Sequence, residues 1–185
     1  FDFQILGATQ DDAVGEAYDK VARQLGLAYP GGPIIDKLAQ TGKKHYDLPR
    51  TKTENPLDFS FSGLKSAVRQ LTLREERFDR ELVIEDVAFA FQERAVEQLM
   101  NRINLALEQY PVATFALAGG VAANSKVRAE ALALGEAHPE INVLIPPLWA
   151  CMDQAAMIGL AGVIAYRRQY RAGYDVSAQS NLKLV

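Results

Sequence analysis

Cysteine is almost missing: Cys151 stands alone among 185 residues. A lone thiol excludes an intramolecular disulfide and a zinc cage built from cysteines, and it fits a reducing compartment such as the cytoplasm. Histidine is nearly as scarce. His45 and His138 are the only two, and neither belongs to an HExxH pattern. One lies in a polar loop and the other precedes a proline, so both read as surface residues. No apolar run reaches the ~18 to 20 residues that a bilayer span needs, and no charged-then-apolar signal segment opens the chain. A positive charge excess is absent too. The net charge is −3, so any RNA contact must come from a local basic patch or from a partner. There is no internal repeat and no low-complexity segment. The chain does not begin with methionine, and its opening FDFQILGA reads as a buried strand. The expectation is a sequence cut from something longer.

What is present is a globular profile, with 49% hydrophobic and 23% charged residues. The apolar segment Phe3 to Gly7 predicts a strand, and Thr9 or Asp11 is placed to cap the helix after it. From Asp12 to Leu25 apolar residues recur every four positions, predicting an amphipathic helix that ends at Gly26. Tyr29-Pro30-Gly31-Gly32-Pro33 is a turn, with a short helix starting at Pro33 or Ile34. Residues 43–57 form a polar loop. The stretch 58–68 alternates and then turns helical. The apolar stripe of residues 81–110 predicts a long helix with room for a break. Strands are expected at 114–118 and 142–145, and helices at 121–134 and 153–168. Alternating strands and helices define an α/β class. The helix-rich middle reads as an insertion, roughly residues 11–110, in a small sheet.

Three constellations carry candidate chemistry. In AGGVAANSKVR (residues 118–128) a strand runs through Gly119 and Gly120 into a helix. Glycines let backbone N–H groups approach a phosphate, and a helix N-terminus favours its charge. A tight strand-to-helix turn without a ligand is the plain alternative. Asn124, one turn into that helix, is placed either to reach a ribose or phosphate or to cap the helix. In DDAVGEAYDK (residues 11–20), Asp12, Glu16 and Asp19 share one helix face. Either this is a solvated face with a Glu16–Lys20 pair, or a carboxylate cluster that, with Asp36 and the turn at Gly32, suits sugar hydroxyls. In CMDQAAM (residues 151–157), Asp153 reads as the N-cap of the last helix, and a metal-ligand role would need further ligands. Cys151 has no basic neighbour and reads as a buried small apolar residue. Tyr166 to Arg171 is basic and aromatic, placed either to touch RNA or to favour a helix C-terminus.

Five segments in register, DDAVGEAYDKVARQLGL with YPGGP, LDFSFSGLK, AFQE, ALAGGVAANSKVR and CMDQAAMIGLAG, together resemble the tRNA N6-threonylcarbamoyladenosine transferase family, once named O-sialoglycoprotein endopeptidases. FSFSGLK points to its bacterial branch. The resemblance spans about Phe3 to Ala165 and identifies the chain with a C-terminal portion of such a protein. It implies an actin/Hsp70/sugar-kinase-like (RNase H-like) fold of two lobes with a nucleotide in the cleft. Residues 1–185 would form the second lobe, with the first lobe absent. It implies that Asp19, Gly32, Asp36 and Asn124 bind the threonylcarbamoyl-adenylate substrate and that Gly119 and Gly120 lie against its phosphate. It implies that Asp153 is a ligand of one iron or zinc ion, completed by two histidines of an upstream HxxxH motif that this sequence lacks. The family's usual CTDNAAM reads CMDQAAM here, with Met152 and Gln154 as departures. The implied reaction moves a threonylcarbamoyl group from its adenylate to the N6 amine of an adenosine beside the tRNA anticodon. The implied partners are tRNA, a same-fold paralogue and a small P-loop ATPase, with no membrane. A non-catalytic scaffold like that paralogue, and a metallo-endopeptidase, are the competing readings. The scaffold reading has no use for a retained metal ligand, and the peptidase reading lacks a ligand set and a base.

Overall fold

The computed structural model describes residues 3–178. Phe1 and Asp2 of the opening segment, and residues 179–185, lie outside the described residues. The chain is a mixed α/β protein. Its helices are α1 (Val14–Gln24), α2 (Gly31–Ala39), α3 (Ser62–Arg77), α4 (Ile84–Gln109), α5 (Ser125–Ala137) and α6 (Ala155–Arg167). Two short strands, β1 (Thr114–Ala116) and β2 (Asn142–Leu144), pair in parallel with Phe115 opposite Val143. Helix α5 makes the crossover between them, as a parallel pair requires.

Helix α4 organises the packing. It runs unbroken for 26 residues, about 39 Å at the ordinary rise. Val87, Phe91 and Ala95 on its first half are fully buried against α1, α2 and α3, with Ala17, Val21, Ile35, Leu64 and Val68. Val96 and Met100, further along, pack with Val127 and Leu134 of α5, against which Phe115 and Val143 of the sheet also lie. One helix thus ties a helical layer to the βαβ unit. Each large apolar side chain buried this way contributes about 1.5–3 kcal/mol.

The opening strand does not form. Residues 3–8 are extended without a ladder, with Phe3 and Ile5 exposed, and pairing is limited to a single parallel bridge, Thr9 to Phe59. An apolar run becomes a strand only where a partner offers its backbone, and here Phe59 makes the bridge, donating to the Ala8 carbonyl at 2.9 Å and accepting the Gln10 amide at 2.8 Å. Thr9 and Asp11 do not cap α1 either. Its N-cap position is Ala13, without a side-chain bond. Asp11 instead accepts hydrogen bonds from the Phe61 and Ser62 amides at 2.8 and 3.3 Å and from the Ser60 hydroxyl at 2.5 Å, capping α3 from outside.

Helix α2 begins at Gly31, ahead of the expected Pro33. Its leading amide is held by the Asp19 carboxylate of α1 at 2.7 Å, and a proline in the first turn is tolerated because its missing N–H has no helical partner there. The last helix begins at Ala155. Its N-cap position is Gln154, not Asp153, and neither residue caps it with a side chain. Gln154 donates to the Trp149 carbonyl at 3.3 Å instead. Helix α6 buries none of its residues, although Ile158, Leu160, Val163 and Tyr166 are apolar and exposed. Leu144, Leu148, Trp149 and Met152 extend the same exposed apolar character through β2 and the loop after it. No helix among the described residues is long and apolar enough to cross a membrane.

Candidate functional site

The carboxylates of α1 divide into two jobs. Lys20 bridges Asp12 at 2.6 Å and Glu16 at 2.7 Å, and Lys65 of α3 reaches Asp12 from the other side at 3.2 Å. The hydrogen bond from Lys20, aided by Lys65, holds the Asp12 carboxyl below the usual range. Asp19 turns away from this group toward Gly31. The shared acidic face is therefore mostly neutralised, and Asp19 alone faces the Tyr29–Pro33 turn.

That turn separates its two glycines. A β-carbon on Gly31 would lie 2.4 Å from the Ala22 β-carbon and 2.9 Å from Asp19 Cα, so only glycine permits this approach of α2 to α1. A β-carbon on Gly32 would meet nothing within 4 Å. Gly32 is the glycine whose face is open to a ligand, and Gly31 is the packing residue.

Asp36 and Asn124, 88 residues apart in sequence, are brought together. Asn124 Nδ2 donates to Asp36 Oδ1 at 3.3 Å and to Gln92 Oε1 at 2.8 Å. Ser125 donates to Asp36 twice, from its amide at 3.1 Å and its hydroxyl at 2.7 Å. Asn124 is not one turn into a helix. The expected helix 121–134 splits into a 3-10 turn, Gly120–Ala123, and α5, with Asn124 extended between them. Its Oδ1 accepts the Val127 amide at 3.0 Å, an N-cap bond. The capping reading and the proximity to Asp36 hold together. Both Asn124 N–H groups are already used, which leaves a lone pair on Oδ1. With the Asp36 carboxylate, this wall accepts hydrogen bonds, chemistry suited to hydroxyl donors rather than phosphate oxygens.

Phosphate chemistry fits the adjacent turn better. Gly119 has φ 78°, a conformation that favours glycine, and the 3-10 turn follows directly. A β-carbon on Gly119 would have open space around it, so strain alone opposes one there. A β-carbon on Gly120 would meet only the Met152 sulfur, at 3.3 Å. The fold therefore does not itself forbid a side chain at Gly120; only a ligand held by the turn would exclude one there. Arg128 anchors the turn, donating to the carbonyls of Ala122 at 3.0 Å and Pro146 at 2.8 Å. Met152, the departure from the family pattern, packs beside this turn, next in sequence to Asp153.

Asp153 is exposed, two residues ahead of α6. Among the described residues no three His, Cys, Asp or Glu side chains stand together as a metal-holding group. His45 is exposed, stacks on Tyr46 and lies 3.3 Å from Asp86, and His138 is exposed beside Glu140. Cys151 is buried, with its thiol toward the Pro147 carbonyl. Of the basic aromatic stretch, Arg171 stacks over the Tyr166 ring at 4.9 Å.

Residues that sequence reasoning gave no role are Tyr18, Gln92 and Ser125. The AFQE motif held the signal for Gln92: a polar amide directly after Phe91 on a helix face that is otherwise core.

A protein-family model described as TsaD, tRNA N6-adenosine threonylcarbamoyltransferase, matches residues 1–160. The chain belongs to this family. Similar proteins carrying that name include one from Bacillus licheniformis, 47% identical over 183 residues, which cover 98% of this chain and 54% of the relative. One from Bacillus subtilis is 45% identical, covering 98% and 53%. One from Gloeobacter violaceus is 49% identical over 185 residues, covering 98% and 52%. The chain spans about half the length of the curated relatives it matches.

Proposed function

We propose that this chain is one lobe of an enzyme that transfers a threonylcarbamoyl group from threonylcarbamoyl-adenylate to the N6 amine of an adenosine in tRNA. The observation that carries this reading is the meeting of Asp36 and Asn124 at the start of α5, next to the positive-φ glycine turn. Carboxylate and amide acceptors for ribose hydroxyls stand beside glycine amides suited to a phosphate, the two halves of adenylate recognition. Asp19, bonded to the Gly31 amide next to the open Gly32, is a further acceptor for a substrate hydroxyl in this reading.

The fold in this reading is an actin/Hsp70/sugar-kinase-like lobe with α1 to α4 as its helical insertion, and the lobe alone does not catalyse transfer. The bare apolar face of α6 and β2 supports it, because a parallel sheet is normally covered on both faces. The other half of the polypeptide, as long in the relatives as the part matched here, is the natural cover. Asp153 suits an iron or zinc ion as one ligand: an exposed carboxylate with no cap to serve supplies a hard oxygen donor. Such an ion, when bound, supplies Lewis-acid polarisation of the carbamoyl carbonyl. Its remaining ligands lie outside the described residues. tRNA, a same-fold paralogue and a small P-loop ATPase are the partners of the reading, in the cytoplasm.

The test is transfer from synthetic threonylcarbamoyl-adenylate to tRNA by the complete protein, with Asp36→Ala beside the wild type. Wild-type transfer that Asp36→Ala reduces at least about tenfold, the worth of a charged hydrogen bond, supports the reading. A complete protein that binds its partners yet neither binds adenylate nor transfers would be a scaffold.

A further inference from the structure

Gln92 sits in the wall between the helical layer and the βαβ unit, 5% exposed, with no part in the chemistry proposed above. Its Oε1 accepts from two sides: the Tyr18 hydroxyl at 3.3 Å and Asn124 Nδ2 at 2.8 Å. We infer that Gln92, seated by Tyr18, is a positioning residue that sets the side-chain orientation of Asn124 and, through it, of Asp36. The inference rests on the adenylate reading for its functional consequence, but the geometry stands independently of it.

The chain of constraint runs in one direction. Tyr18 is 3% exposed, and its ring packs edge-on against Phe91 with centroids 4.9 Å apart. Burial, and then the charge of Asp36, push its hydroxyl far above the ordinary phenol range, so it keeps its proton. A buried hydroxyl with one proton must give it to an acceptor, and the acceptor at hand is Gln92 Oε1. That turns the oxygen of the Gln92 amide toward Tyr18 and Asn124. Asn124 must then present its NH2 to Gln92, so its second N–H falls to Asp36 and its oxygen to the Val127 amide. Flipping the Asn124 amide would set oxygen against Gln92 Oε1 and Asp36, and NH2 against the Val127 N–H. Three hydrogen bonds would become three repulsions. The orientation is therefore single-valued as long as Gln92 offers an acceptor. Without that acceptor, Asn124 keeps its cap but loses the shorter of its two NH2 bonds, leaving the 3.3 Å bond to Asp36 as the only one on that side. A residue on α4 thereby sets the geometry of two groups on α2 and at the start of α5.

The experiment uses the complete protein with Gln92→Met, which keeps length and removes the acceptor, and Gln92→Glu. Burial and the Asp36 charge favour a protonated carboxyl at Gln92→Glu, which still offers a carbonyl acceptor. Two quantities are read: the solvent exchange of the Asn124 side-chain amide protons by NMR, and the affinity for AMP by calorimetry. Gln92→Met is expected to speed that exchange and to weaken AMP binding about tenfold, the scale of one buried hydrogen bond. Gln92→Glu is expected to restore both. Should Gln92→Met fail to fold, Tyr18→Phe keeps the ring against Phe91, removes only the donor, and is expected to speed the exchange likewise. Wild-type exchange and wild-type AMP affinity in Gln92→Met, with only a lower melting temperature, would overturn the inference and leave Gln92 a packing residue. If the wild type does not bind AMP at all, the adenylate reading fails, and the Asn124 exchange rate alone decides the positioning role.

Discussion

Asp19 Oδ1 accepts the Gly31 amide at 2.7 Å, fastening the first turn of α2 to the middle of α1. This bond and the 2.4 Å gap between Ala22 and a would-be Gly31 β-carbon make one joint. Gly32, one residue on, touches none of it. Gly31→Ala should therefore destabilise the protein by about 1–3 kcal/mol, the usual cost of overpacking. Gly32→Ala should leave stability nearly unchanged and weaken adenylate binding. Urea unfolding and AMP titration of both variants check this. Equal destabilisation by the two would show that Gly32 is also a packing residue.

Asn124 does two things, and different substitutions separate them. Asn124→Ser keeps a good N-cap for α5 but gives up the NH2 that holds Gln92 and Asp36. Asn124→Ala loses both. Unfolding should show Asn124→Ala about 1 kcal/mol less stable than Asn124→Ser, while both lose adenylate affinity to a similar degree. If Asn124→Ser binds AMP like the wild type, the amide has no role beyond capping.

Much of this was readable from sequence, and the failures share a cause. Helix α4 and the βαβ unit were legible because the apolar stripe from Val83 to Leu107 and the glycine pair after β1 are local patterns. The segment at Phe3 was not, because a strand depends on a partner that local pattern cannot supply. Asp11 was expected to serve the helix nearest in sequence, and it caps α3, 50 residues away. Asp153 looked like a cap by its place ahead of an apolar run, yet the backbone turns helical only after Gln154. In the candidate site, Asp36 and Asn124 were nameable through motifs. Tyr18 and Gln92 were not, since a buried tyrosine and glutamine on helix faces read as core until their partners are seen.

Acid should loosen the joint between the 9–12 segment and α3. Burial raises the Asp11 carboxyl, but the hydrogen bonds from Ser60, Phe61 and Ser62 outweigh it and hold it below its ordinary value. Asp12, bonded by Lys20, and Asp58, bonded by the Ala8 amide, are lowered likewise. Groups lowered in the folded state stabilise it fully above their unfolded value. That stability is lost as pH falls through the folded value, here below about pH 4. Asp11→Asn should therefore cost stability near neutral pH and less at about pH 3, below the ordinary aspartate value, where the unfolded-state carboxyl is being protonated. Urea midpoints at the two pH values check this. A difference of the same size at both would mean that Asp11 acts through shape and not charge.

Asp153 gives the sharpest separation between a structural and a chemical role. Its carboxylate is exposed and stands two residues before α6, whose N-cap position belongs to Gln154. Nothing in the fold needs the side chain, so Asp153→Ala in the complete protein should change stability by no more than about 0.5 kcal/mol, as exposed substitutions usually do. If Asp153 is one ligand of an iron or zinc ion, the same variant should carry much less metal and transfer much less threonylcarbamoyl. The 185-residue chain alone should hold metal below stoichiometry, because among its described residues no group of three ligand side chains stands together and one carboxylate is too few to retain an ion. Metal content by elemental analysis, set beside melting curves, checks all three statements. Unchanged metal content in Asp153→Ala, or a stoichiometric ion on the isolated chain, would remove Asp153 from the metal site as proposed.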